Sequence, residues 1–320
     1  ATRVTSDFNF GWKFSKGDLS AAIQSDYDDT HWEDVRLPHD WGIKEQFVNN
    51  IDPDHPEDWP GGVGWYRKTF TMPESSADKI TWIEFDGVYN HSEVWINGHH
   101  LGIRPYGYSP FSYDLSSYLN AGQENVLVVR VDRTSFQDSR WYSGSGIYRN
   151  VKLVTVSKMH IPQWGVQIST PEIEKESADI KVEITVGNQE DVQKELMLLT
   201  TIYNANQDMV AEEGSPVSIG AGAEEKFVQL LSVTNPSMWS PEAPNMYMAR
   251  HRLIDEGEVV DELSTPFGIR SFRNDPETGF YLNGKSTPFK GVCLHHDGGA
   301  VGAAVPIGIW ERRLNILKEA

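Results

Sequence analysis

Cysteine is almost missing from this chain. Cys293 is the only one among 320 residues, so no intrachain disulfide can form. That leaves the compartment open, because exported bacterial proteins also do without disulfides. A long hydrophobic run is missing as well. The longest apolar, uncharged stretch, residues 298–310, is too short and too rich in Gly and Pro to span a bilayer. Cations are scarce: 28 Lys and Arg stand against 46 Asp and Glu, a formal net charge of −18. A surface this acidic repels phosphate backbones and anionic membranes, which excludes nucleic-acid and membrane-surface partners while leaving neutral substrates compatible. Low-complexity sequence is absent too, and nothing at Ala1 reads as a signal peptide.

What is present is an aromatic-rich globular composition, with 11 Trp in a length that suits two or three domains. Residues 1–158 read as all-β. Short alternating runs recur between turn signals, among them Thr81-Trp82-Ile83-Glu84-Phe85, Glu93-Val94-Trp95-Ile96 and residues 125–132. Asn97-Gly98 sits between two such runs and predicts a type I′ hairpin, because both positions need positive φ. Strands at this spacing imply a sandwich or jelly roll.

Residues 159–266 form a second β segment. Ile180, Val182, Ile184 and Val186 alternate with polar residues and share one face. Residues 196–203 and 226–233 supply further strands, and about seven strands in roughly a hundred residues fit an immunoglobulin-like sandwich. Residues 267–320 change character. An Asn283-Gly284 hairpin comes first, residues 289–294 read as a buried strand, and a helix follows Pro306 with Trp310, Leu314 and Leu317 at i, i+4 and i+7. That helix carries no stop signal, so the third domain is expected to have begun without finishing. Its apolar face would then be disordered, atypically docked or buried against another chain.

The ordered motifs are specific. Leu37-Pro38-His39-Asp40-Trp41 comes first, then Gly64-Trp65-Tyr66-Arg67-Lys68, then Phe85-Asp86-Gly87-Val88 leading to Val94-Trp95-Ile96-Asn97-Gly98. The run from Gly144 to Val151 follows, then Phe267-Gly268-Ile269-Arg270 and Lys290-Gly291-Val292-Cys293-Leu294-His295-His296-Asp297. This order resembles the N-terminal part of family 2 glycoside hydrolases, and within that family a group of bacterial β-galactosidases. The resemblance implies a mainly β chain: a jelly-roll sugar-binding domain at 1–158, an immunoglobulin-like sandwich at 159–266, and the first strand and helix of a truncated (β/α)8 barrel at 267–320.

It also implies a retaining mechanism with two glutamates on later barrel strands, about 5–5.5 Å apart. A whole barrel takes about 250 residues, so neither glutamate is assigned to this chain and the chain alone is expected to be inactive. Some relatives bind Mg²⁺ or Na⁺ through residues that this chain largely lacks, so no cofactor is assigned and metal dependence stays open. A homo-oligomer also stays open. The resemblance, with a start at Ala1 that lacks Met, leads us to expect a periplasmic or secreted protein, a cytoplasmic one being the alternative.

Candidate substrate-binding residues follow from the resemblance, each beside a plainer reading. Asp132 matches an aspartate that reaches the sugar site, and a strand-end Asp also caps turns. Asn49 and Asn50 match a sugar-contacting asparagine in a loop where Asn is common anyway. His295 and Asp297 stand at the C-terminal end of the expected first barrel strand, where barrel sites are built. Alternation would put both on one face with His296 opposite. A His-His-Asp metal site is the rival reading, and adjacent ligands alone support it poorly. Cys293 reads as a small buried hydrophobe. Trp12, Trp32, Trp41 and Trp65 could stack on sugars but read better as core, and the acidic run Asp52, Asp54, Glu57 and Asp58 reads as a solvated loop. The functional alternatives are a non-catalytic carbohydrate-binding module and a parent protein acting as a β-glucuronidase or β-mannosidase.

Overall fold

The computed structural model describes residues 3–45, 61–134 and 141–320. Its contacts divide into two units, one holding residues 5–155 and 293–320, the other holding residues 1–4 and 156–292.

In the first unit the strands are β1 (Val4–Asp7), β2 (Trp12–Lys16), β3 (Glu33–Val35), β4 (Gly62–Thr71), β5 (Ile80–Phe85), β6 (Ser92–Ile96), β7 (His99–Arg104), β8 (Phe111–Asp114), β9 (Glu124–Arg133) and β10 (Val151–Val156). They make a six-stranded sheet in the order β3-β2-β4-β9-β6-β7 and a four-stranded sheet in the order β1-β10-β5-β8. The period of two along β9 explains how one strand serves two cores. Leu127, Val129 and Val131 enter the cluster that also holds Phe14, Tyr66, Phe85 and Phe111. Val126 and Val128 join Trp32, Trp65 and Trp95 in a separate cluster. Each large apolar side chain fully buried this way contributes about 1.5–3 kcal/mol. Trp12, Trp32, Trp41 and Trp65 are all buried, so the core reading holds for them. Asn97 and Gly98 both take positive φ (49° and 81°) between β6 and β7, as the Asn-Gly pair predicts.

The second unit carries β11 (Met159–His160), β12 (Val166–Ser169), β13 (Ser177–Asn188), β14 (Lys194–Tyr203), β15 (Met209–Ile219), β16 (Glu224–Thr234), β17 (Tyr247–Asp255) and β18 (Glu258–Phe267). One sheet runs β15-β14-β17-β18; in the other, β13 pairs with β11, β12 and β16. Ile180, Val182, Ile184 and Val186 are fully buried between the sheets beside Leu196, Leu198 and Ile202. A polar knot is buried with them: the Thr200 hydroxyl donates to Gln229 Oε1 at 2.5 Å and lies 3.0 Å from His251 Nδ1. Both β units are mainly strand, as jelly-roll and immunoglobulin-like sandwiches are.

Beyond β18 the expectations need correcting. β19 (Phe272–Asp275), β20 (Gly279–Leu282) and β21 (Lys285–Ser286) form a small antiparallel sheet, with the Asn283-Gly284 turn where the sequence places it. Residues 289–294, read as a buried strand, form no strand, and Phe289 is 81% exposed. A strand of a buried parallel sheet needs ladder partners beside it, and among the described residues none pairs with this stretch. The helix α1 (Ile307–Glu319) does form after Pro306, and it leaves Leu314, Ile316 and Leu317 about half exposed. No helix of the described residues is long and apolar enough to cross a membrane.

Candidate sugar-binding site

Antiparallel sandwiches gather loops at their ends, and that geometry builds a cavity in the first unit. The loop from β5 to β6 brings Tyr89, Asn90 and His91. The loop from β7 to β8 brings Pro105, Tyr106, Gly107 and Tyr108. Trp141 and the irregular stretch 293–296 complete a cavity of about 880 Å³.

Backbone and ring contacts hold these pieces together. Tyr89 and Gly146 exchange two backbone hydrogen bonds at 2.9 Å. The Tyr148 hydroxyl donates to the Gly107 carbonyl at 2.9 Å, and the Trp141 indole N–H donates to the Tyr108 hydroxyl at 3.1 Å. Gly107 is needed for this fit, because a Cβ there would stand 2.4 Å from Cδ2 of Tyr89. The Tyr108 ring centroid lies 5.1 Å from that of Tyr89 and 5.4 Å from that of His296. His296 Nε2 lies 3.1 Å from the Ser143 carbonyl, a pairing that places the ring proton on Nε2. The His295 ring centroid lies 5.7 Å from that of Trp141, with the two rings tilted by 52°.

Asp40 anchors the segment beyond the histidines. Its buried carboxylate accepts from Gly42 N at 3.0 Å, Ser145 N at 2.9 Å, the Tyr142 hydroxyl at 2.8 Å and Ala303 N at 2.8 Å. Burial, then the charge of Asp40, pushes the Tyr142 phenol far up, and burial pushes Tyr148 to about 12. Both phenols are therefore neutral donors at any physiological pH.

The sequence-derived candidates are distributed unevenly. His295 lines the cavity. Asp297 lies just beyond it, and its carbonyl accepts from Arg313 of α1 at 2.6 Å. With no strand at 289–294, alternation does not sort these side chains, and His295 and His296 line the same cavity rather than opposite faces. Cys293 is exposed at the cavity wall instead of buried, because the stretch that carries it is not in a sheet. Asp132 closes β9 outside the lining. Its carboxylate takes the Thr134 N–H at 3.0 Å and hydroxyl at 2.6 Å, and Arg130 at 2.7 Å. Burial works against its charge, but the Thr134 and Arg130 hydrogen bonds outweigh it and hold the carboxyl below its ordinary range. The turn-capping reading of Asp132 is thus present in the structure. Asn49, Asn50 and the acidic run 52–58 lie outside the described residues.

Tyr89, Asn90, His91, Tyr106, Tyr108 and Trp141 escaped the sequence reading. The one local signal was the density of aromatics around Gly107. Among the described residues no three His, Cys, Asp or Glu side chains gather to hold a metal.

The chain is thus a tandem β-sandwich protein with an aromatic cavity at one end of its first sandwich. Family models for the glycosyl hydrolase family 2 sugar-binding domain and for glycosyl hydrolase family 2 match residues 7–157 and 160–270, and the chain belongs to that family. It is 44% identical to the β-galactosidase BoGH2A of Bacteroides ovatus over 99% of this chain and 37% of that protein. It is 39% identical to a putative β-glucuronidase of Formosa agariphila over 100% of this chain and 30% of that protein. A crystal structure of a family 2 member from Bacteroides cellulosilyticus superposes with a TM-score of 0.91 at 34% identity, covering 98% of this chain and 43% of that one. The chain therefore spans less than half the length of each of these relatives.

Proposed function

We propose that this chain is the sugar-recognising N-terminal part of a retaining glycoside hydrolase that acts on terminal β-galactosides, and that it binds the sugar without cleaving it. The observation that carries this reading is the cavity lining, which among the described residues holds aromatic rings, histidines and an amide but no Asp or Glu. Aromatic faces take the apolar faces of pyranoses and the polar groups take hydroxyls, whereas retaining cleavage needs two carboxyl groups about 5–5.5 Å apart. His295 is assigned to a sugar hydroxyl. Asp132 and Asp297, beside the cavity, are assigned as further hydroxyl acceptors, Asp132 through the Oδ2 lone pair that Arg130 leaves free. The barrel start expected at 267–320 belongs to the same reading, supported by the family membership and by helix α1.

The 44% identical B. ovatus protein favours the galactoside, and the F. agariphila protein supports a β-glucuronide as the second reading. Calorimetry with methyl β-galactopyranoside and methyl β-glucuronide, beside an assay of the nitrophenyl glycosides, tests this. Galactoside binding without nitrophenol release supports the reading. Turnover by the chain, or no binding of either sugar, overturns it.

A further inference from the structure

We infer that the first unit carries a second ligand site, beside the start of α1, and that this site takes an anionic pyranose. The sugar ring lies against aromatic side chains, and its carboxylate or sulfate ester meets Arg36 and Arg149. The inference goes beyond the aromatic cavity proposed above and does not depend on it.

A cavity of about 620 Å³ lies there, within the size range of small-ligand sites. Its wall is drawn from distant stretches: Arg36 beyond β3, Asp86 beyond β5, Tyr148, Arg149 and Asn150 ahead of β10, and Trp310 of α1. All of these residues belong to the first unit.

The two arginines carry the assignment. Both are exposed, and the Arg36 guanidinium lies 4.5 Å from the Phe10 ring centroid while that of Arg149 lies 5.2 Å from the Tyr148 centroid. A ring neutralises no charge, so both guanidiniums remain available to an oxyanion, which arginine takes bidentately. On a chain of net charge −18, two such cations on one cavity are a local exception to an acidic surface. The carboxylate of the lining, Asp86, has Lys152 Nζ at 3.8 Å to offset it.

The rest of the wall suits a sugar ring better than a bare ion. Tyr148 and the half-buried Trp310 supply aromatic surface for pyranose C–H groups. Trp310 is itself held by Arg313, whose guanidinium lies 5.1 Å from the indole centroid. Asn9 Nδ2 donates to Asn150 Oδ1 at 3.2 Å, which leaves Asn150 Nδ2 to donate to a sugar hydroxyl. Asp86 accepts from another.

The test titrates the 320-residue chain with methyl β-glucuronide, galactose 6-sulfate and the neutral methyl β-glucopyranoside. Affinity is read by calorimetry and position by the indole N–H signals. At least one anionic sugar is expected to bind tenfold or more tightly than the neutral one and to move the Trp310 signal. Tighter glucuronide assigns a carboxylate and tighter galactose 6-sulfate a sulfate ester, and either order upholds the site. Arg36→Gln and Arg149→Gln are each expected to weaken that binding about tenfold, the loss of one charge-assisted contact. Galactoside binding read at Trp141 is expected to stay as it is in both variants. The inference is overturned by unchanged anion affinity in both variants, by a stationary Trp310 while the anion binds, or by no preference for the anionic sugars. Inorganic sulfate competing as strongly as the anionic sugar overturns the pyranose assignment. A glucuronide held in the aromatic cavity would move Trp141 instead, so failure here leaves the proposed function to its own test.

Discussion

The buried carboxylate of Asp40 and the backbone N–H of Ala303, 263 positions apart in sequence, are hydrogen-bonded at 2.8 Å. The same carboxylate holds Gly42, Tyr142 and Ser145, so one side chain ties the 298–305 segment to the first sandwich. Two of the cavity's histidines, His295 and His296, stand just before that segment. Asp40→Ala leaves several buried donors unpaired and should lower the stability of this unit by about 3 kcal/mol. Hydrogen exchange at Ala303 should accelerate with it, and unchanged exchange would show that the anchor is not Asp40.

Gly107 sets the shape of the cavity. A methyl group there meets the Tyr89 ring at 2.4 Å, and ring and loop must part. Gly107→Ala should cost about 1–3 kcal/mol and weaken sugar binding, both visible in one calorimetric series. A variant with wild-type affinity would mean that Tyr89 is not a fixed wall.

Asp132 separates a capping role from a sugar-binding role. Asp132→Asn keeps an acceptor for the Thr134 N–H but loses the charge pairing with Arg130. If the carboxylate serves the sugar, affinity falls while the fold persists. If it only caps the turn, affinity is unchanged. Because its folded carboxyl is held low, the stability it confers is full above the ordinary aspartate range and is lost as pH falls through the folded value.

His251 lends the second sandwich a pH dependence. Burial pushes its pKa from 6.5 to about 4, so between those values the unfolded chain binds a proton that the folded chain refuses. Stability is therefore complete above pH 6.5 and falls on acidification, by up to about 1.4 kcal/mol per pH unit for this group. His39 in the first sandwich, likewise held at about 4 mainly by burial, acts in the same direction there. His251→Gln should flatten the acid limb of urea-unfolding curves for the second sandwich. An identical slope in the variant would contradict the burial argument.

The sequence made some of this legible and hid the rest for identifiable reasons. Asn97-Gly98 and Asn283-Gly284 were readable because two successive positive-φ residues have few uses other than a tight hairpin. The β13 face was readable because burial on one side imposes alternation. β15 was hidden: it lies at a sheet edge and its first residues are largely solvated, so no hydrophobic period marks it. Residues 289–294 misled because an apolar run signals burial only when neighbours exist to bury it. The cavity was the least legible part. Asn90, Tyr108, Trp141 and His296 come from four separate stretches, and no local spacing records that they meet.

The most direct test of the central claim is the indole N–H spectrum of the chain during titration with methyl β-galactopyranoside. Trp141 donates its indole N–H to Tyr108 inside the cavity, whereas Trp164 is exposed in the other unit. A shift of the Trp141 signal with Trp164 unmoved is the predicted result. Binding that leaves Trp141 unmoved would place the sugar elsewhere and contradict the account.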